Sequence, residues 1–145
     1  MYEHGMIAPV VALLAWSFVV LIWLYVMRIP AMQRAKIDPN KATKADMEAL
    51  PASARNVADN YNHLMEQPTL FYAACFALQF LGQGEQAINI GIAWTYVVLR
   101  VVHSLVQGTI NLVTLRFFIF MLSSLALGAL IVHAAIGVGL LPGLH

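Results

Sequence analysis

Charge is scarce in this chain. Lys, Arg, Asp and Glu make up 10% of its 145 residues, while 61% are hydrophobic. A soluble domain is about a quarter charged and roughly half apolar. With a mean hydropathy of +0.75 there is too little charge to coat a water-facing surface. The composition points to an integral membrane protein, built as one unit without a separate soluble domain. Cysteine is nearly missing too. The single thiol, Cys75, excludes an internal disulfide and any CxxC site. It sits in an apolar run and reads as a small buried hydrophobe. The net charge is +1 and no basic run suits nucleic acid, so no nucleic-acid partner is expected. HExxH, GxSxG, P-loop and GxGxxG motifs are all missing. The five histidines are scattered, without ligand spacing on one helical face, so no metal is expected. Met1-Tyr2-Glu3-His4 lacks the positive region of a signal peptide, and the apolar run after it is too long for one. A retained first membrane helix is expected.

Long apolar runs are what the chain has in abundance. A bilayer core of about 30 Å needs roughly 20 apolar residues per helix. Four helices are expected, at about 6–27, 56–81, 87–106 and 112–137, in a single membrane domain covering 1–145. The first, "MIAPVVALLAWSFVVLIWLYVM", is free of charge. The second contains "NHLMEQPTLFYAACFALQFL", in which Glu66 and Pro68 stand near the start of the apolar stretch. Pro68 is tolerable there because its missing donor falls in the first turns. A polar loop of about 28–55 follows the first helix, with a short surface helix expected at "KATKADMEAL". The other connections, "GQGEQ" and "QGTIN", are tight. Short loops make the last three helices antiparallel neighbours, so the expected fold is an all-α membrane protein with a four-helix antiparallel bundle.

The basic residues are one-sided. Arg28, Arg34, Lys36, Lys41, Lys44 and Arg55 lie in or beside the first loop, and Arg100 and Arg116 flank the third. With four spans those loops share a face. The positive-inside bias then predicts both termini outside and the long loop in the cytoplasm.

Polar residues also form a stripe. Asp59, Asn62/His63 and Glu66 recur at i, i+3/i+4 and i+7 on the second helix, and Arg100, His103/Ser104 and Gln107 do so on the third. Arg116 opens the fourth. Intramembrane charges are costly, about 2.5–3.5 kcal/mol on insertion scales, and usually face the bundle interior with a partner. Glu66 and Arg100 are the expected couple. The plainer readings stand beside this one: the pair pins two helices, His103 is a satisfied interhelical histidine, and Arg116 anchors a helix start. His133 reads as interfacial packing. Ser124 with Gly128 has the spacing of close helix contacts.

"NHLMEQPTLFY" and "WTYVVLRVVHSLVQGTINLVTLRFFIF", together with the four spans and the long first loop, resemble the MAPEG family (membrane-associated proteins in eicosanoid and glutathione metabolism), in its bacterial type. The resemblance covers essentially the whole chain, and its bacterial type implies a bacterial inner membrane as the location. It implies a homotrimer that binds glutathione between subunits and takes a lipophilic substrate from the bilayer lipids. By this resemblance Arg116 matches the arginine that stabilises the glutathione thiolate, Arg100 an arginine that helps hold the tripeptide, and Glu66 the glutamate at its amine. His63, Asn62, His103 and Gln107 complete the implied glutathione shell. The match departs from the family at helix two. The usual motif is Arg-x-x-x-Asn-x-x-Glu, but Asp59 stands at the arginine position, His63 at the asparagine position and Asn62 one step off. Gln107 stands where several active members have tyrosine. The leading expectation is a glutathione-dependent transferase or peroxidase acting on lipophilic electrophiles. The alternative is a lipid-binding or accessory subunit of a membrane complex without glutathione chemistry. A proton- or ion-conducting protein is a third reading, opposed by the lack of a continuous polar relay to the outer face.

Overall fold

The computed structural model describes residues 5–38 and 40–141, apart from the side chain of His63. The described residues form helices α1 (Ile7–Arg34), α2 (Lys44–Glu48), α3 (Ala52–Glu66), α4 (Pro68–Phe80), α5 (Ala87–Gly108) and α6 (Val113–Gly137). Three of them, α1, α5 and α6, are long and apolar enough to cross a membrane. The protein is an all-α integral membrane protein.

The second expected span is interrupted. Pro68 has no N–H to give to the carbonyl four residues back, so the helical ladder breaks at Gln67 and α3 and α4 are separate elements. The break is shallow. Gln67 keeps helical dihedrals, φ −70° and ψ −38°. The Thr69 hydroxyl donates to the Met65 carbonyl at 3.2 Å, and the Leu70 N–H reaches the Gln67 carbonyl at 3.0 Å.

α1 runs seven residues past Met27, through Pro30, to Arg34. Its end is a Schellman motif. Lys36 takes a left-handed φ of 57°. Its N–H donates to the Gln33 carbonyl, and the Ile37 N–H to that of Met32. Met32 and Ile37 then pack, with Met27 and Met47, around a small cluster of Ala31, Leu50 and Ala54. The segment after α1 is therefore docked onto α1 and α3. α2 begins in a capping box: the Asp46 N–H donates to Thr43 Oγ1 at 3.1 Å, and the Thr43 N–H to Asp46 Oδ2 at 3.0 Å.

The main core follows helical periodicity. Val10, Leu13, Ser17, Val20 and Leu24 form one buried stripe on α1, facing Leu64 of α3, Phe71, Cys75 and Leu78 of α4, and Ile90, Ala93 and Tyr96 of α5. Cys75 is fully buried. Opposite that stripe, Val11, Leu14, Phe18, Ile22, Tyr25 and Val26 are exposed, as lipid contact requires. At the end of the molecule near the α4–α5 turn, buried Asn89 donates to the Gln83 carbonyl at 3.0 Å. His133 Nδ1 lies 2.7 Å from Asn89 Oδ1, so this histidine joins α6 to α5 through a hydrogen bond.

Helices in lipid associate mainly through close packing, and one contact here is close enough to test. A Cβ on Gly108 would run into the Trp23 ring, whereas one on Gly91 meets nothing within 4 Å. Gly108→Ala should destabilise the detergent-solubilised protein by about 1–3 kcal/mol, read as a lower Tm with shifted tryptophan emission. Gly91→Ala should be neutral or slightly stabilising in the same assay.

Candidate functional site

A cleft of about 330 Å³ opens where the α3–α4 junction meets the end of α5 and the start of α6. Glu66 and Gln67 line it from the junction, His103 and Gln107 from α5, and Val113, Arg116, Phe117 and Phe120 from α6. One side is polar. The other is aromatic, with Phe117 and Phe120 exposed.

The α5–α6 turn sets the position of Arg116. Asn111 takes a left-handed φ of 50°, which asparagine tolerates better than most residues. Its N–H closes onto the Val106 carbonyl at 2.6 Å, and its side-chain amide donates to Asn56 Oδ1 of α3 at 3.1 Å. The turn is thereby tied to α3, and α6 starts with Arg116 in its first turns, its N–H donating to the Leu112 carbonyl. A cation there opposes the helix macrodipole, so helix stability does not account for it. Arg116 is half-buried, and its Nε is buried without a hydrogen-bond partner among the described residues. So are Gln107 Oε1 and Ser104 Oγ. An unfilled guanidinium donor beside an exposed carboxylate and an aromatic wall suits an anion or soft nucleophile placed next to an apolar molecule.

Gln67 is the anchor of this wall. Its Oε1 accepts from the Tyr96 hydroxyl at 3.1 Å, and its Nε2 donates to Ser124 Oγ at 2.8 Å. Ser124 in turn donates to the Phe120 carbonyl at 2.9 Å. One side chain thus joins α5 to α6 at the helix break. Tyr96 is held from its other side by stacking on Phe71, with ring centroids 4.4 Å apart.

The polar residues anticipated from the sequence divide into three groups. Glu66, His103, Gln107 and Arg116 come together in the cleft. Arg100 does not line it. It is 1% exposed, stands over the Phe120 ring at 5.7 Å, and lies in electrostatic reach of Tyr96, Glu66 and Tyr72. It works from behind the wall. Asn62 and Asp59 face a second cleft, of about 390 Å³, shared with Arg28, Lys44 and Arg55. His63 lies on α3, but its side chain is outside the described residues. The sequence reading missed Gln67, Val113, Phe117 and Phe120. For the α6 residues a signal was present, because 113, 116/117 and 120 repeat the i, i+3/i+4, i+7 spacing. Gln67 carried none beyond being polar beside Glu66.

Compared with known proteins, the chain matches the model of the MAPEG family over residues 6–136. No curated protein and no solved structure matches it.

Removing one partner of a buried hydrogen bond is worse than removing both. Gln67→Leu should lower stability by about 1–3 kcal/mol, because the Tyr96 hydroxyl loses its acceptor. Adding Tyr96→Phe to that variant should recover part of the loss. The check is a double-mutant cycle of thermal melts in one detergent.

Proposed function

The chain belongs to the MAPEG family, and on that footing we propose that it is a glutathione-dependent enzyme, a transferase or peroxidase acting on lipophilic electrophiles. The observation that carries this reading is Arg116, half-buried with its Nε unpartnered among the described residues, in a cleft shared with Glu66 and two phenylalanines. Glutathione supplies a nucleophilic thiol whose anion is the reactive form. Arg116 would hold that sulfur as thiolate. Glu66, exposed at the mouth, would take the ammonium group. Gln107 would accept from a peptide N–H through its Oε1, which is buried without a partner among the described residues. His103, at 4% exposure, would shape the cleft floor. Arg100 would act as a positioning residue, its guanidinium lying in electrostatic reach of Glu66 and over the ring of Phe120.

The residues fit the thiol and the amino end of glutathione better than its two carboxylates, since Arg116 is the one Lys or Arg lining this cleft among the described residues. A second copy of the chain would complete the carboxylate sites, as the homotrimer of the family would allow. The four-pass bundle belongs to the same proposal. α3 and α4 together span 52–80 with helical dihedrals carried through Gln67, which is about 43 Å of near-continuous helix at 1.5 Å per residue. The one-sided basic residues support a cytoplasmic long loop. The non-catalytic reading, a lipid-binding or accessory subunit, is favoured by one observation: Asn62 and Asp59 turn to the other cleft and leave the glutathione shell incomplete.

Arg116→Ala should remove the ultraviolet thiolate band that appears when glutathione is titrated into the purified protein, while size-exclusion behaviour stays unchanged. Glu66→Gln should weaken the titration about tenfold, with the band retained at saturation, as loss of one charge-assisted contact predicts. A wild-type protein giving no band at millimolar glutathione would favour the accessory-subunit reading.

A further inference from the structure

The second cleft holds none of the residues given a role in the proposed chemistry, and its lining carries both signs of charge on an apolar floor. Its depth comes first. The charge-free part of α1, from Ile7 to Met27, rises about 30 Å at 1.5 Å per residue, which matches the hydrocarbon thickness of a bilayer. Arg28 is therefore the first side chain of α1 at the level of lipid headgroups, and α1 continues above it to Arg34. Arg28 is half-buried at the cleft wall, opposite α3 residues Arg55 and Asp59.

The charges can be apportioned. Lys44 and Glu48 form an exposed pair at 4.0 Å on α2 and offset each other. That leaves Arg28 and Arg55 against Asp59. Beneath them lie Met47, Leu50 and Ala54, of which Leu50 and Ala54 belong to the small packed cluster that fixes this segment. Below Arg28, toward the membrane interior, Tyr25 and Ile22 are half-exposed on α1, and tyrosine is at home at the interface.

Guanidinium groups present planar donor forks that match phosphate oxygens. A carboxylate lining the same cleft, Asp59, would repel a purely anionic headgroup, but it accepts readily from a primary ammonium, which offers three N–H donors. We infer that this cleft binds the headgroup of an aminophospholipid, with Arg28 and Arg55 on the phosphodiester, Asp59 on the ammonium, and an acyl chain lying along α1 past Tyr25. A choline headgroup has the phosphate without the N–H donors. A glycerol headgroup has the phosphate without the cation. The site therefore discriminates in two directions at once.

The test is native mass spectrometry of the full-length protein released from detergent with equimolar phosphatidylethanolamine, phosphatidylcholine and phosphatidylglycerol of matched chains. The wild-type protein should retain phosphatidylethanolamine at least fivefold over either competitor. Asp59→Asn should bring its ratio to phosphatidylglycerol to one or below, Arg28→Gln should lower retention of all three lipids, and Lys36→Gln, outside the cleft, should change none. Equal retention of the three lipids by the wild-type protein would overturn the inference, as would a preference for phosphatidylglycerol, which any basic surface would show. Displacement of bound lipid by equimolar glycerophosphoethanolamine would overturn it too, since the soluble headgroup and not the membrane lipid would then be the ligand. The wild-type arm decides the matter without relying on any variant to fold.

Discussion

A guanidinium buried at membrane depth constrains everything around it. Arg100 is 1% exposed, and a charge withdrawn from water persists only among opposing charge, polar oxygens or aromatic faces. All three are present. Glu66 arrives from α3, Tyr72 from α4, Tyr96 from one turn earlier on α5, and the Phe120 ring from α6. No single helix could supply that set. The apolar stripes of the helices set which faces turn inward, but Arg100 specifies which residues must meet. The carboxylate and aromatic wall of the cleft are held where Arg100 needs them, so its own burial organises a site that it does not enter.

The helix break at Gln67 depends on the same arrangement. An unbroken helix from Ala52 to Phe80 would have no loose peptide at that height. Pro68 removes one backbone donor, and at that level the neighbouring side chain spans from Tyr96 to Ser124. Ser124 passes the bond on to the Phe120 carbonyl, so the network ends on the residue whose ring faces Arg100. Polar groups in a low-dielectric interior specify an arrangement only when each is satisfied, and this chain of bonds closes. Asn89 and His133 do similar work near the α4–α5 turn. α5 and α6 are thus fastened at two heights, with Ile90, Ala93, Leu127 and Leu130 buried in the core between them.

Much of this was legible in the sequence, for physical reasons. Lipid forces apolar residues onto continuous helices, so α1, α5 and α6 stand out as long runs. Charges that survive in such runs are conspicuous, and Glu66, Arg100 and Arg116 can be picked out by eye. The family resemblance over the whole chain agrees with the match over 6–136. Less legible was the division of labour within the polar stripe. Periodicity says that Asp59, Asn62 and Glu66 share a face, but a face of a 15-residue helix spans two clefts at different heights. Nor does spacing reveal that Arg100 points into the bundle while Arg116 lines the opening. The continuation of α1 through Pro30 was likewise hidden. Near the water boundary a missing donor is cheap, so proline there is a weak stop signal. The role of Gln67 depended on distant partners on α5 and α6, 29 and 57 residues away, which no local pattern encodes.

The lone thiol has a practical consequence of its own. Cys75 is fully packed in the main core between α1 and α5, and a thiol in such surroundings is inert toward water-borne reagents. The native protein therefore carries a silent background for maleimide chemistry. A single cysteine introduced at Lys41 or at Glu85, both exposed, would be the one site that an impermeant label can reach. Sidedness of the two connecting segments could be read in intact cells from an otherwise unaltered chain.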